Sequence, residues 1–272
     1  MLATWPLSIY SVPRDMTTLA KQLARDWFGG LGRGTLLCRD ILVSLVTVKP
    51  VWRDLIYQLY FIGVKSQAVV IITGMFTGMV LCAQAFIQFH RVKMDSATLA
   101  VVSVAMGSEL GPVLTGLMVA GRVGAAIAAE LGTMRVTEQI DALRTLATHP
   151  VDYLIVPRFL AMFLAMPLLT VESISLGIGA AYLVASFLLD INQANAWHQM
   201  VLHTDVTDIL IGIIKTFVFG GVIAIVSCYK GLSCPQGAEG VGHATTEAVV
   251  YSSITILISN FFLTMLLNSL LQ

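Results

Sequence analysis

The sequence predicts an all-α integral membrane protein with about five transmembrane helices. Of its 272 residues, 57% are hydrophobic and only 12% are Asp, Glu, Lys or Arg, whereas soluble domains average about 25% charged residues. Mean hydropathy is +0.83, which excludes a soluble globule and a disordered chain. The 16 basic residues balance the 16 acidic ones, so the charge gives no support for nucleic-acid binding.

The N-terminal part of the chain differs from the rest because its apolar patches are short. We expect residues 1–35 to form an N-terminal extension and residues 36–272 to form one membrane domain. Within segment 35–48 the apolar residues recur at helical spacing on one face: Leu37, Ile41, Leu45 and Val48. This pattern predicts an amphipathic helix that lies in the membrane interface. A sixth, partial span is the alternative.

Five stretches hold the ~20 mostly apolar residues that a helix needs to cross ~30 Å of hydrocarbon. They cover residues 67–89, 97–121, 159–189, 206–229 and 248–271. The third belongs to a longer apolar run, 154–189, which is too long for one upright span and too short for two. We therefore interpret it as one span with an interfacial lead-in.

The basic residues of the connections indicate the orientation. The first 65 residues carry eight Lys or Arg, and the 122–158 connection carries four arginines. The 190–205 connection has neither Lys nor Arg. Basic residues accumulate in cytoplasmic loops, so we expect a cytoplasmic N-terminus and, after five crossings, a C-terminus on the outer side.

The most informative segment begins inside the second predicted span with the sequence GSELGP at 107–112. Glu109 lies about halfway along this span, where an ionisable group costs at least ~2.5 kcal/mol. Such a residue usually faces a cavity or a partner, and Pro112 removes a backbone donor nearby. We predict that Glu109, Leu110 and Pro112 line a substrate cavity. A purely structural, protonated or hydrogen-bonded carboxyl is the alternative.

Two GxxxG patterns predict close helix packing. They are formed by Gly74 with Gly78 and by Gly107 with Gly111. Small residues at this spacing let two helix backbones approach each other. The pattern leaves open whether the partner helix belongs to the same chain or to a second copy.

Beyond the second span, residues 133–150 (TMRVTEQIDALRTLATHP) form an amphipathic pattern that Pro150 should end. Its apolar face consists of Val136, Ile140, Leu143 and Ala147. The polar face carries both signs of charge, which favours docking into a soluble protein over binding to anionic lipid. The candidate contact residues are Arg135, Glu138, Gln139, Asp141 and Leu143.

Motifs for catalysis are absent from the sequence. There is no G-x-x-x-x-G-K-[ST], H-E-x-x-H or G-x-S-x-G, and the four cysteines form no C-x-x-C. We therefore expect no enzymatic activity, cofactor or metal site in this chain. An ion-coupled carrier normally buries several ionisable groups, and only Glu109, Glu172 and Lys215 are candidates. This favours a partner ATPase as the energy source; an autonomous ion-coupled carrier or channel is the alternative.

The long segment 109–143, ELGPVLTGLMVAGRVGAAIAAELGTMRVTEQIDAL, closely resembles the signature of the MlaE-type permease family. These proteins are the membrane subunits of ABC phospholipid transporters that work with MCE-domain proteins. Further matching segments follow in the expected order, so that the resemblance covers about residues 36–270: QLYFIGVKS, FTGMVLCAQ, PRFLAMFLAMPLLT and GAEGVGHATTEAVVYSS.

The resemblance implies a homodimeric permease in the inner membrane with a periplasmic C-terminus. It also implies two copies of a cytoplasmic ABC ATPase, which binds ATP and Mg, and an MCE-domain lipid-binding protein on the outer side. Membrane phospholipid would be the substrate, carried between inner and outer membranes. Residues 133–147 would form the helix that couples to the ATPase, and Glu109 would lie near a lipid cavity at the dimer interface. The chain departs from the family at Asn260, where relatives often carry an acidic residue.

Overall fold

The structure is a computed structural model that describes residues 32, 34–45, 47 and 52–271, and no strand occurs among them. Five helical runs are long and apolar enough to cross a membrane, which confirms the predicted class and the number of spans. We call them spans 1 to 5: Trp52–Arg91, Asp95–Val136, Val151–Phe187, Val206–Leu232 and Ala238–Leu271. Span 1 begins with a lead-in helix, Trp52–Ile62, before its main helix, Gln67–Arg91.

The segment before span 1 contains a helix over residues 34–45. Ile41 is buried there, and Leu37 and Leu45 pack against the main hydrophobic core. These three residues were predicted to share one face; the fourth, Val48, lies outside the described residues. The opposite face exposes apolar side chains, as expected for a helix in contact with lipid: Leu36, Leu42 and Val43. Most of the predicted extension 1–35 also lies outside the described residues.

Several helices extend beyond the apolar stretches that predicted them. Span 2 continues to Val136, so the predicted 122–158 connection is reduced to residues 137–150. Span 5 begins at Ala238, and only residues 233–237 separate it from span 4. Hydropathy marks where a helix meets hydrocarbon, whereas backbone hydrogen bonds continue a helix into water. Apolar length therefore underestimates these helices.

One helix was not predicted. In the 190–205 connection, residues Gln193–His203 form a helix whose first turn is capped by Asn192. The Asn192 side chain accepts hydrogen bonds from the backbone N–H groups of Ala194 and Asn195, which is the usual role of an N-cap residue. The helix packs mainly against the beginning of span 2. Trp197 also makes an edge-to-face contact with Tyr182 of span 3, with ring centroids 5.8 Å apart.

The first GxxxG motif brings span 1 directly onto span 3. A β-carbon at Gly74 would lie 2.7 Å from Ser173 Oγ, and one at Gly78 would clash with the carbonyl oxygen of Gly177. Only glycine permits this approach, because any side chain would force the two helix backbones apart. The partner helix of this motif therefore belongs to the same chain.

The second GxxxG motif places span 2 between spans 3 and 4. Gly111 faces Ile174 of span 3, whose side chain leaves no room for a β-carbon. Gly107 itself has space, since a β-carbon there would meet only Ile209 at 3.5 Å. Its carbonyl oxygen, however, lies against Gly212 of span 4, where a β-carbon would clash. The close approach at Gly107 thus depends on the glycine of the neighbouring helix.

Candidate substrate site

A polar cluster inside the bundle is built around Glu109 of span 2 and Lys215 of span 4. Lys215 Nζ lies 2.7 Å from Glu109 Oε1. The Lys215 side chain is 0% exposed, whereas that of Glu109 is 36% exposed. Lys215 Nζ also donates to the carbonyl oxygen of Ser108 at 3.0 Å and to Thr264 Oγ1 at 2.7 Å. The ammonium therefore has three acceptors for its three N–H groups, which offsets the cost of its burial.

Span 5 completes the cluster with Asn260 and Thr264. Asn260 Nδ2 donates to Glu109 Oε2 at 2.9 Å. The Thr264 hydroxyl lies 2.9 Å from Glu109 Oε1 and 2.8 Å from the Asn260 carbonyl oxygen, and its single hydrogen can serve one of these acceptors. Both carboxylate oxygens of Glu109 are thus held by groups from two other spans. We call Glu109, Lys215, Asn260 and Thr264 the polar cluster.

The backbone of span 2 changes helical pitch at the polar cluster. Residues Met106–Leu110 form a π-helical turn, and an α-helix resumes at Gly111. Pro112 occupies the first turn of that α-helix, where the missing N–H costs little. Single π-helical turns inside α-helices occur frequently at functional sites. Here the turn carries Glu109 and accommodates the proline without ending the span.

The three residues predicted to line a cavity have different surroundings. Glu109 is partly exposed and belongs to the polar cluster. Leu110 is partly buried and packs against the hydrophobic cluster that contains Met106. Pro112 is buried, and its ring faces Gly212 where spans 2 and 4 approach closely. Pro112 therefore contributes to helix packing in this chain, and the cavity role of all three residues stays a prediction.

The polar cluster borders a large apolar surface on span 5. Only 6% of the apolar window of this span is buried, the smallest share among the five spans. The exposed side chains flank Asn260 and Thr264 along the helix: Leu257, Ile258, Phe261, Phe262, Met265 and Leu266. A molecule that lies along this surface would meet a charged, hydrogen-bonding group at one point and apolar side chains elsewhere.

The segment predicted to dock a soluble protein is divided into two helices. Span 2 ends at Val136, and a separate connecting helix, Gln139–Thr145, begins after Glu138. Glu138 adopts a left-handed conformation with φ of 59°, which interrupts the helical hydrogen bonding. The prediction of a single helix over residues 133–147 is therefore wrong.

This break changes which residues share a face. Ile140 is buried and Leu143 packs against the main core, as the predicted apolar face requires. Ala147 lies beyond the connecting helix and is exposed, with φ of 56°. Pro150 does not end this helix and instead directly precedes span 3. Residues 137–150 also present one large apolar side chain to their surroundings, that of Leu146, which is 74% exposed.

Asp141 of the connecting helix forms ion pairs both within that helix and with span 2. Asp141 lies 3.0 Å from both Arg135 Nη1 and Arg144 Nη1. Arg135 belongs to the last turn of span 2, so Asp141 ties the connecting helix to that span. Glu138 and Gln139 are exposed and are available to a partner.

Sequence reasoning found Glu109 but not its full set of partners. Lys215 is predicted from sequence only as one of a few ionisable groups in spans, and Asn260 only as a departure from related proteins. Nothing in the sequence marks Thr264 as a partner of Glu109, because a threonine in an apolar helix commonly hydrogen-bonds to its own backbone. Lys215 could have been found as a lysine inside the apolar window of span 4, since such a residue requires a nearby counter-ion.

Five apolar helices, three of which contribute to a charged, hydrogen-bonded cluster, define a multi-pass helical membrane protein. Residues 55–266 match the family model described as Permease MlaE. The chain therefore belongs to the MlaE permease family, as its motifs indicate, and is a permease subunit.

Curated relatives support this assignment over most of the chain. A probable ABC transporter permease protein of Rickettsia conorii is 48% identical over 82% of this chain and 86% of its own length. One from Synechocystis is 40% identical over 89% of this chain and 92% of its own length. The chloroplastic protein TRIGALACTOSYLDIACYLGLYCEROL 1 of Arabidopsis thaliana is 37% identical over 84% of this chain and 65% of its own length.

Proposed function

We propose that this permease subunit moves phospholipid between the inner and outer membranes of a two-membrane envelope, driven by a separate cytoplasmic ATPase. Membership of the MlaE family supports a transport role. The name of the Arabidopsis relative refers to a glycerolipid, which is consistent with a lipid substrate. The chain would lie in the inner membrane with its N-terminus in the cytoplasm and its C-terminus in the periplasm.

The observation that carries the proposal is the position of the polar cluster beside the exposed surface of span 5. A phospholipid has a charged head group and two apolar tails. Glu109 is partly exposed and can interact with a head group, whereas Phe261, Phe262 and Met265 offer apolar contact area for acyl chains. A mostly apolar cavity with a few placed polar groups is the usual form of a ligand site.

A second copy of the chain would close this surface into a cavity. In one chain, span 5 contacts spans 2 and 4 on one side and leaves the other side open. Two such surfaces facing each other across a twofold axis would enclose the two polar clusters. We therefore propose a homodimer in which Glu109 of each copy faces the lipid.

The connecting helix is the proposed contact with the ATPase. Exposed Leu146 can enter an apolar groove, and exposed Glu138 and Gln139 can bind polar groups at its rim. Arg135 and Asp141 would transmit displacement of the connecting helix to span 2. Span 2 is helical from Arg135 back to Glu109, so movement at one end would alter the polar cluster. ATP and Mg would bind the ATPase, since this sequence holds no nucleotide-binding motif.

An MCE-domain protein is the proposed partner at the opposite end. The helix Gln193–His203 lies in the connection between spans 3 and 4, at the end away from the connecting helix. Its exposed apolar residues could contact a lipid-shielding protein or the outer surface of the membrane: Trp197, Val201 and Leu202.

Reconstitution tests the proposed function directly. The complex purified through a tagged chain is placed in liposomes with fluorescent phospholipid, and lipid transfer is measured with and without ATP. We expect ATP-dependent transfer, and we expect Glu109→Gln to reduce it at least tenfold while the complex stays assembled. Glu172→Gln is the matched control, because Glu172 is a span carboxylate that forms no ion pair among the described residues.

Two outcomes would contradict the proposal. Lipid transfer by this chain alone, without an ATPase, would indicate an autonomous carrier. Equal transfer by wild type and Glu109→Gln would remove the polar cluster from the transport path.

A further inference from the structure

Two cations from different spans lie against the same aromatic ring. Lys65 Nζ is 5.3 Å from the centroid of the Phe61 ring, and Arg122 Cζ is 5.7 Å from it. Arg122 Nη1 also donates to Ser66 Oγ at 2.6 Å and to the Phe61 carbonyl oxygen at 3.4 Å. These contacts fix Arg122 of span 2 beside the turn that connects the lead-in helix to the main helix of span 1.

Neither cation has an acidic partner within the part of the chain that the structure describes. Three other basic residues near the span ends are paired: Arg135 with Asp141, Arg158 with Glu130 and Lys230 with Glu247. Lys65 is exposed and Arg122 is half-buried, so both can be reached from outside the bundle. Two positive charges that contact one ring and lack a counter-ion repel each other, and an anion bound beside them would reduce that repulsion.

Both cations mark the boundary of the hydrocarbon at the same end of the bundle. Lys65 precedes the apolar run 67–89, and Arg122 directly follows the apolar run 97–121. We therefore expect their charges to lie at the depth of the lipid phosphate groups. Glu109 is 13 residues from Arg122 along span 2, about 20 Å at 1.5 Å per residue. The pair is thus separate from the polar cluster.

We propose that Lys65 and Arg122 bind the phosphate group of an anionic phospholipid at the membrane surface nearest the connecting helix. Arginine and lysine both suit phosphate, arginine through its planar fork and lysine as a point charge. The exposed Tyr60 ring lies 5.9 Å from Lys65 Nζ. Together with exposed Val64 and Val69, which are near Lys65 in sequence, it offers apolar contact for the glycerol and upper acyl region. The expected depth of Lys65 and Arg122 in the membrane favours a lipid over a soluble anion as the ligand. The site would hold a resident lipid that joins spans 1 and 2, in addition to the proposed transport cavity.

Native mass spectrometry of the purified chain in detergent tests this site. Phosphatidylglycerol is titrated, and phosphatidylcholine with the same acyl chains serves as the zwitterionic comparison. We expect Lys65→Gln and Arg122→Gln each to weaken phosphatidylglycerol binding about fivefold, the factor for one basic residue near an anionic lipid. Phosphatidylcholine binding should change less, because its choline cation offsets the phosphate charge. Lys65→Arg should retain the affinity for phosphatidylglycerol.

The matched control is the double variant Arg91→Gln/Lys93→Gln. Arg91 and Lys93 are exposed cations at the other end of span 1, so their removal should leave the affinity unchanged. Lys65→Gln is the decisive variant, because Lys65 donates no hydrogen bond within the described residues. Arg122→Gln also removes the contact with Ser66 and could disturb the fold.

Three results would overturn the proposal. The first is wild-type affinity of Lys65→Gln for phosphatidylglycerol. The second is loss of the difference between wild type and Lys65→Gln in millimolar inorganic phosphate, which would indicate a site for a soluble anion. The third is unchanged lipid affinity with reduced recovery of the ATPase, which would assign the two cations to a protein contact.

Discussion

Lys215 is fully buried in span 4 and is neutralised by Glu109 of span 2, with 2.7 Å between Nζ and Oε1. The two partners differ in exposure, because the Glu109 side chain reaches the surface and that of Lys215 does not. Removing Lys215 therefore has a different consequence from removing Glu109. An unpaired Glu109 can be hydrated or can bind a proton, whereas an unpaired Lys215 stays enclosed among apolar helices.

This asymmetry predicts the order of stability among variants of the pair. Glu109→Leu should lower the thermal midpoint in detergent more than Lys215→Met does, with a loss of about 3 kcal/mol for Glu109→Leu. The double variant Glu109→Leu/Lys215→Met should recover most of that loss, because it removes both charges together. Fluorescence-detected size-exclusion chromatography after heating measures all three variants. If the double variant is as unstable as the sum of the single variants, the two residues do not interact.

The polar cluster shows how far sequence reasoning reaches for this protein. Glu109 is identifiable because a carboxylate within an apolar run is unusual. Its partners on spans 4 and 5 are more than 100 residues away in sequence, and no local pattern states which helices become neighbours. The spans themselves are predictable because the length of an apolar run is a local property.

The connecting segment shows a different limit. The spacing of Ile140 and Leu143 correctly predicts two inward-facing residues, since both positions lie within one short helix. The break at Glu138 is invisible to periodicity, because glutamate has no special preference for a left-handed conformation. Leu146 was therefore overlooked, and Ala147 was placed on the wrong surface.

Packing between spans 1 and 3 makes a prediction for glycine substitutions. Gly78→Ala should destabilise the chain by about 1–3 kcal/mol, because its β-carbon would meet the carbonyl oxygen of Gly177. Gly179→Ala is the matched control, since a β-carbon there meets nothing within 4 Å. Alanine is the better helix former by about 1 kcal/mol, so the control should be neutral or stabilised. Thermal midpoints in the same detergent compare the two, and equal midpoints would contradict the close contact.

Cys234 in the connection between spans 4 and 5 predicts slow thiol chemistry. Burial raises the pKa of the Cys234 thiol, and its S–H group donates to the carbonyl oxygen of Pro235 at 3.1 Å. The reactive thiolate is therefore scarcer in the folded chain than in the unfolded chain at the same pH. Maleimide at pH 7 should label Cys234 much faster after denaturation than before, and raising the pH should increase labelling of the native chain. Peptide mass spectrometry resolves the site, and equal rates in both states would show that Cys234 is accessible.

The proposed docking of the ATPase depends on Leu146, the exposed apolar residue that follows the connecting helix. Leu146→Asp should strongly reduce recovery of the ATPase with the tagged chain, because a charged carboxylate would have to be desolvated in the partner's groove. Leu188→Asp is the matched control, since Leu188 is also 74% exposed and lies at the opposite end of the bundle. Both variants should retain the thermal stability of the wild type, because neither side chain is part of the core. Quantitative mass spectrometry of the purified complexes gives the ATPase-to-permease ratio. A ratio that falls equally for both variants, or for neither, would assign the contact to another surface.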